Sequence, residues 1–352
     1  MNRPYISFVI FSRNDAYVPD QLTRQQASLD ILMAQLEDHR LESEIIIVEW
    51  NPPQDRAPLG EALRFPHRHP MVTARIITVA PEYHSRYLYA DKRPMHASVA
   101  INVGLRRSRG DFLLPRAQDL FYSEPVVEFL ARRQLSTDKS YRCERYDVAP
   151  AVLESLSSDR LLFLQACDRH IVQYRSSDWA KDIPGIPFLH MGCAGDFLLL
   201  ARERWEEIRG FREAPDVYSL DDDLFAAVAA HSVGAKESML AEDCRVYKIH
   251  HSANHSERIK FMAPSLVYAM LPLFRKIFGE RLRRNLSFVL NFPKRRMTDA
   301  EGVVFDSIEK CFMPVARRWS RGIGPFYLND ENWGLAGANL PETVLCKADW
   351  DR

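Results

Sequence analysis

Short apolar runs alternate with helical patterns through the first third of the chain. Tyr5–Phe11 and Glu44–Trp50 are rich in β-branched and aromatic residues, and a polar turn follows each, which predicts two buried strands. Ala74–Ala80 has the same character and predicts a third strand. Between the first two runs, apolar residues recur at helical spacing from Gln21 to Arg40, so we expect a helix there.

The alternation continues beyond the third strand. Met95–Arg107 predicts a helix, and Asp111–Leu114 predicts the strand that follows it. This order favours an α/β fold with a mostly parallel, Rossmann-like sheet flanked by helices. Ligands bind such sheets outside the carboxyl ends of the strands. The stretches at those predicted ends are Ser12–Asp15, Glu49–Asn51, Ala80–Glu82 and Arg116–Asp119.

The character of the chain changes near Ala263. Residues 258–296 carry ten Lys and Arg against one acid, Glu280, among clusters of apolar residues. We therefore predict a domain over residues 1–257 and a basic, mainly helical C-terminal extension over residues 258–352.

Two interpretations of residues 263–296 stay open. A basic amphipathic helical region could lie on an anionic membrane surface, where each basic residue adds about 1 kcal/mol. It could equally cap the first domain, with its apolar side chains packed inward and its basic ones in water. The first interpretation predicts peripheral contact with a membrane.

Charge and cysteine content narrow the classes of function. Lys and Arg number 47, as do Asp and Glu, so there is no basic excess for nucleic-acid phosphates, and we expect no nucleic-acid partner. The six cysteines are scattered without a C-x-x-C pair, which favours reduced thiols over zinc or a disulfide framework. We find no signal-peptide pattern and no run of about 18 apolar residues, so we expect a cytoplasmic protein.

Three common catalytic loops are absent from the sequence. The first predicted strand leads into Ser-Arg-Asn-Asp rather than a G-x-G-x-x-G turn. There is also no G-x-x-x-x-G-K-[ST] and no G-x-S-x-G. A Rossmann dehydrogenase, a P-loop kinase and a serine hydrolase with a nucleophile elbow are therefore disfavoured.

Acids at the predicted strand ends are the candidates for chemistry. Glu49, near Ser12 and Asp15, could accept hydrogen bonds from a nucleobase or ribose, or could be a solvated loop acid. Asp119 could ligate a divalent cation that bridges a diphosphate. Asp221–Asp223 is a run of three like charges ahead of a helical pattern, and it could supply a general base or simply the acidic first turn of that helix.

The order of these motifs resembles the GT-A glycosyltransferases, in particular the family 2-like enzymes that use nucleotide-diphosphate sugars. The resemblance covers about residues 5 to 255. The segments that carry it are Phe8–Asn14, Glu44–Glu49, Ala100–Gly104, Gly110–Phe112, Gly192–Leu200 with Arg202, Ile208–Phe211, Asp221–Leu224 and Tyr247–His251.

The resemblance implies a sugar transfer to a hydroxyl of a glycan or lipid-linked acceptor, with inversion at the anomeric carbon. UDP-sugars are favoured over GDP-sugars as donors. Asp221 matches the general base, and Asp222 is the fallback. The nucleotide-sugar contacts that the resemblance implies are Ser12, Asn14, Asp15, Glu49, Asn102, Gln118 and Asp119.

The resemblance also implies a metal ion, Mn²⁺ or Mg²⁺, held by Asp119 and His250, with His251 as the other candidate histidine. The sequence departs from the family here, because Ala117 replaces the first acid of the D-x-D motif. That departure motivates an alternative, a catalytically inactive GT-A-like domain that binds or scaffolds. A nucleotidyltransferase, which would release pyrophosphate, is a third possibility.

Overall fold

The structure is a computed structural model of the chain. It describes residues 3–15, 17–156, 159–175, 189, 195–213, 222–251, 296–298, 302–306 and 308–350.

Strands and helices alternate along the first half of the chain. The strands are β1 (Ile6–Ser12), β2 (Ser43–Trp50), β3 (Arg68–His69), β4 (Val72–Val79), β5 (Phe112–Arg116), β6 (Leu120–Tyr122), β7 (Lys139–Arg142), β8 (Glu144–Val148), β9 (Ile171–Arg175), β10 (Leu198–Ala201), β11 (Lys236–Met239), β12 (Arg245–Ile249), β13 (Arg296–Thr298), β14 (Val304–Asp306) and β15 (Glu342–Ala348). The helices are α1 (Gln21–Asp38), α2 (Leu59–Ala62), α3 (Pro81–His84), α4 (Ala97–Arg107), α5 (Glu124–Ala131), α6 (Arg160–Arg169), α7 (Arg202–Ile208), α8 (Asp222–Ser232) and α9 (Ile308–Trp319).

Nine strands form the main sheet, in the order β11-β7-β10-β5-β1-β2-β4-β15-β3. The four central strands, β5, β1, β2 and β4, run parallel to one another. The predicted α/β class is therefore confirmed. The sheet is mixed, because β10 pairs antiparallel with both of its neighbours and β15 pairs antiparallel with β4.

The central strands are buried on both faces, which explains their continuous apolar runs. Helix α4 lies close against β1 and β2, and Gly104 makes this approach possible. A Cβ at Gly104 would overlap Val9 Cγ1 and lie 3.1 Å from Val48 Cγ2. The small residue therefore sets how closely this helix packs on the sheet.

The C-terminal part of the described chain returns to the main sheet. Strand β15 pairs antiparallel with β4 and parallel with β3, and the sequence pattern did not predict it. Helix α9 packs on α8, where the rings of Phe312 and Phe225 meet edge to face, 5.0 Å apart. The predicted boundary at residue 257 stays a prediction, and residues 252–295 lie outside the described residues.

A second sheet of four strands has the order β6-β12-β8-β9. Its core includes Phe121 from β6 and Phe163 from α6, whose ring centroids lie 4.8 Å apart. The turn Ala117–Asp119 joins β5 of the main sheet directly to β6 of the second one. This turn therefore stands where the two sheets meet.

None of the helices in the described ranges is long and apolar enough to cross a membrane. The cysteines described are all free thiols, namely Cys143, Cys167, Cys244, Cys311 and Cys346.

Candidate functional site

The strand order of the main sheet reverses next to β1. From β1 the chain moves through β2 to β4 on one side, and then returns to place β5 on the other side. Parallel α/β sheets bind ligands at such a switch point, outside the carboxyl ends of the two strands. Those ends are Ser12 in β1 and Arg116 in β5, with Ala117–Asp119 directly beyond.

Side chains from the two strand ends meet across this point. The hydroxyl of Ser12 hydrogen-bonds with Oε1 of Gln118, and it also lies 2.9 Å from Oε1 of Gln25 in α1. Ser12 and Gln25 are buried, whereas Gln118 is half-buried. The structure thus brings together Ser12 and Gln118, two of the residues that the sequence predicts.

The loop after β1 is held in place by its own polar residues. Asn14 Nδ2 donates to the carbonyl of Ala57, at 2.7 Å. Asp15 pairs with Arg13 at 2.9 Å and accepts from the amide of Tyr17 at 3.1 Å. Asn14 and Asp15 therefore shape the loop that borders the switch point.

Asp119 lies among positively charged groups. Its carboxylate acts to raise the pKa of Arg24, Arg116, Lys248 and His251, although burial keeps the pKa of His251 below its ordinary value. Asp119 is 5% exposed. Among the described residues, none donates a hydrogen bond to its side chain or forms an ion pair with it within 4.0 Å. The Asp119 carboxylate thus has several cations around it but is in direct contact with none of them among the described residues.

Arg24 occupies the first turn of α1 and is only 3% exposed. Its Nε and Nη1 atoms are buried without a hydrogen-bond partner among the described residues. Burial lowers the pKa of Arg24, and the carboxylates of Asp119 and Asp20 act in the opposite direction. Burying a guanidinium whose donors make no hydrogen bond costs free energy of folding.

Lys248 belongs to a network of charges at the end of β12. Its Nζ lies 3.7 Å from Asp196, which also pairs with Arg145. Burial acts to lower the pKa of Lys248, but the carboxylates of Asp196 and Asp119 outweigh it, so that pKa lies above its ordinary value. His250 Nδ1 lies 3.9 Å from Asp147, which Arg145 also contacts at 2.9 Å. The histidine whose pKa Asp119 influences is the next residue, His251.

The acidic run lies near this network, although only part of it is described. Asp221 lies outside the described residues, and Asp222 begins α8. Asp223 accepts a hydrogen bond from the amide of Gly195 at 3.1 Å. Burial raises the pKa of Asp223, and the charge of Asp196 adds to that effect. Asp196 also lies 3.7 Å from Lys248. The start of α8 and Asp119 are therefore both next to the same charged residues.

The side chains of two predicted contacts, Glu49 and Asn102, make hydrogen bonds inside the protein. Glu49 is buried and accepts hydrogen bonds from the amide of Leu59, at 2.7 Å, and from the hydroxyl of Thr78. Burial raises the pKa of Glu49, and those two hydrogen bonds oppose that rise. Glu49 thereby binds the first amide of the short helix α2, and its contact with a nucleotide stays a prediction.

Asn102 is fully buried in α4 and holds the turn after α7. Its Nδ2 donates to the carbonyl of Phe211 and to Oε1 of Glu213, both at 2.7 Å, and its Oδ1 accepts from the amide of Phe211 at 2.7 Å. Because the amide is occupied inside the protein, we give Asn102 a structural role.

The described residues do not fit the metal site that the resemblance implies. Within the described ranges, no three His, Cys, Asp or Glu side chains are grouped as a metal ion would require. Asp119 has cations around it, and His250 lies beside Asp147. Divalent cations such as Mg²⁺ prefer several oxygen ligands. We therefore derive no step through a metal, and the metal site of Asp119 and His250 stays a prediction.

No family model matches the chain, and no curated protein matches its sequence.

Arg24, Lys248 and Asp196 were not among the residues that the sequence predicts. Lys248 lies in the segment Tyr247–His251, but the family pattern drew attention to its histidines. Arg24 stands in a helix whose buried face includes several polar residues, and that polarity was the available signal. The polar residues on that face are Gln21, Arg24, Gln25, Ser28 and Gln35.

Proposed function

We propose that the chain is a GT-A-type glycosyltransferase that moves a sugar from a nucleotide-diphosphate sugar to a hydroxyl of a glycan or lipid-linked acceptor. The observation that carries this proposal is the contact of Ser12 with Gln118 across the β1–β5 switch point, next to a cluster of positive charge. A switch point offers a crevice, and the positive charge suits a diphosphate. We favour UDP-sugars over GDP-sugars.

The donor would lie along the carboxyl edge of the sheet. Its nucleoside would contact the loop Ser12–Asp15, and its diphosphate would lie beyond the turn Ala117–Asp119. Asp119 is an acceptor for the hydroxyl groups of the ribose or the sugar. This placement uses the residues that the structure brings to the switch point.

The transfer would be a single displacement. An oxygen of the acceptor attacks the anomeric carbon, the bond from that carbon to the β-phosphate oxygen breaks, and the nucleoside diphosphate leaves with the electron pair. A carboxylate takes the proton of the acceptor hydroxyl. Asp221 has this role in our proposal, with Asp222 as the fallback, and their neighbour Asp223 lies beside the charge cluster.

The basic segment 263–296 is the candidate for contact with the acceptor's membrane. Residues 263–296 would bring the protein to the cytoplasmic face of a membrane if the acceptor is lipid-linked. Nearly all of that segment lies outside the described residues.

Product analysis tests this function. Purified protein is incubated with UDP- and GDP-sugars and a panel of glycan and lipid-linked acceptors. Release of nucleoside diphosphate, together with a mass gain of one sugar on an acceptor, supports the proposal. Release of pyrophosphate from a nucleoside triphosphate and a sugar phosphate would instead indicate a nucleotidyltransferase.

The same experiment separates an enzyme from a binding protein. The replacement of the first D-x-D acid by Ala117 is the observation that favours an inactive GT-A-like scaffold. Binding of a nucleotide sugar with no turnover on any acceptor would support that alternative. If no nucleotide or nucleotide sugar binds at all, the proposed function is wrong.

A further inference from the structure

We propose that Arg24 and Lys248 hold the diphosphate of the donor directly, in the place where GT-A enzymes usually have a divalent cation. This inference rests on the proposed function, because it names the groups that neutralise the leaving group. It concerns the side of the cluster around Asp119 that α1 and β12 provide.

Arg24 has hydrogen-bond donors inside the protein that no described residue satisfies. Its side chain is almost completely buried, and two of its nitrogen atoms have no partner among the described residues. The carboxylates of Asp119 and Asp20 act to raise its pKa. Neither of them forms an ion pair with Arg24 within 4.0 Å in the described structure. Planar guanidinium donors match the oxygen atoms of a phosphate. An anion in this place would satisfy them.

Lys248 is a charged residue close to two carboxylates. Its ammonium lies 3.7 Å from Asp196, and the charge of Asp119 also acts on it. Its side chain is 19% exposed. These carboxylates keep Lys248 charged, since they hold its pKa above the ordinary value despite burial. A charged lysine near a diphosphate acts as a point charge on the phosphate oxygens.

The charges around Asp119 act differently on a divalent cation and on a diphosphate. A divalent cation beside Asp119 would be repelled by Arg24, Lys248 and the fully buried Arg116. Arg116 has two nitrogen atoms without a partner among the described residues, and its guanidinium lies 4.9 Å over the ring of Tyr122. A diphosphate would be attracted by all three cations. These three cations therefore favour the anion, and the carboxylates of Asp119 and Asp196 offset part of that attraction.

This arrangement also has a consequence for the chemistry. Negative charge grows on the β-phosphate as its bond to the sugar breaks. Fixed cations that are already in position stabilise that charge without reorganisation. Asp119, which has these cations around it, is left to accept a hydroxyl of the donor.

The test is a calorimetric titration of the full chain with uridine, UMP and UDP, and with the matching guanosine series. Each titration is made once with EDTA and once with Mn²⁺. The variants are Arg24→Gln and Lys248→Gln, and the control is Arg132→Gln, which removes an exposed arginine from the surface of the protein. Thermal unfolding of each variant shows whether it is folded.

We expect the diphosphate to bind equally well with EDTA and with Mn²⁺. Each of the two variants should bind the diphosphate at least about tenfold more weakly than the wild type does, because a hydrogen bond to a charged group is lost. The affinity for the nucleoside should not change. Arg132→Gln should bind as the wild type does. Arg24→Gln should unfold at an equal or higher temperature, since it removes a buried charge without a direct partner.

Binding of the diphosphate that requires Mn²⁺, or that both variants leave unchanged, would overturn this inference but not the proposed function. If Arg24→Gln does not fold, Lys248→Gln and the EDTA comparison still decide the question. Failure of every nucleotide to bind the wild type would instead count against the proposed function itself.

Discussion

Ser12 and Gln118 are 106 residues apart in the sequence, and their side chains share a hydrogen bond. The bond joins the end of β1 to the turn after β5, where the strand order of the sheet reverses. It therefore marks the place where an α/β sheet of this kind binds its ligand. The surrounding side chains from α1 and β12 give that place a positive charge.

The identity of the general base can be separated from that of its neighbour. Asp221→Asn should lower the rate of sugar transfer by about 10² to 10⁴-fold, because the acceptor hydroxyl loses its proton acceptor. The affinity for the donor should hardly change. The matched variant Asp222→Asn should keep most of the activity. Steady-state kinetics with a saturating donor measure both, and near-normal turnover of Asp221→Asn would transfer the role to another acid.

The stability of the protein should depend on pH through Glu213. Burial raises its pKa from 4.5 to about 7. The folded state therefore binds a proton more tightly than the unfolded state, so the free energy of unfolding should fall as the pH rises from about 4.5 to about 7. Glu213→Gln should reduce that fall by up to about 3 kcal/mol.

Denaturant unfolding at pH 5 and pH 8 measures this effect. The wild type should lose more stability between the two pH values than Glu213→Gln does. An equal loss in both proteins would show that the carboxyl group of Glu213 titrates normally. Glu242→Gln is a suitable control, because that side chain is exposed.

A buried ion pair at the opposite end of the sheet from the switch point should be important for folding. Arg75 lies 2.9 Å from Glu44, and both side chains are 2% exposed. Arg75→Met should lower the free energy of unfolding by about 3 to 5 kcal/mol, because it leaves the Glu44 carboxylate buried without its cation. Arg68→Met breaks an exposed pair with Asp349, so it should cost at most about 1 kcal/mol. Chemical denaturation compares the two, and similar costs would refute the argument.

The turn after α7 requires a glycine for two separate reasons. Gly210 has a φ of 73°, and a Cβ there would overlap the side chain of Asn102. Gly234 has a φ of 93°, but a Cβ there would meet nothing within 4 Å. Gly234→Ala should therefore cost about 1 to 2 kcal/mol from backbone strain alone, and Gly210→Ala should cost clearly more. Equal changes in unfolding midpoint would show that Asn102 can move aside.

The apolar pattern was enough to predict the central parallel strands. The predicted strand Glu44–Trp50 differs from β2 by one residue. A strand that is buried on both faces is a continuous apolar run, and such a run can be recognised from the sequence alone. Strand β15 was missed since its exposed and buried residues follow no clear alternation, and it pairs with β4 more than 260 residues earlier in the sequence. Such a pairing depends on tertiary contacts rather than on local sequence.

The candidate site could be predicted only in part. Ser12 and Gln118 followed from the rule that ligands bind at the carboxyl ends of parallel strands. Arg24 did not, because a basic residue in an amphipathic helix normally faces water. Asn102 and Glu49 lie in motifs of the right type, yet their side chains are occupied by backbone groups that the sequence does not identify.

Hydrogen–deuterium exchange with and without a saturating nucleotide-diphosphate sugar tests the central claim most directly. If the β1–β5 switch point binds the donor, the ligand should slow exchange in peptides that cover residues 12–25, 117–120 and 246–251. Peptides that cover residues 107–111, at the opposite end of the sheet, should not change. Protection confined to other parts of the chain, or no protection with any donor, would contradict the proposal that this switch point is a glycosyltransferase donor site.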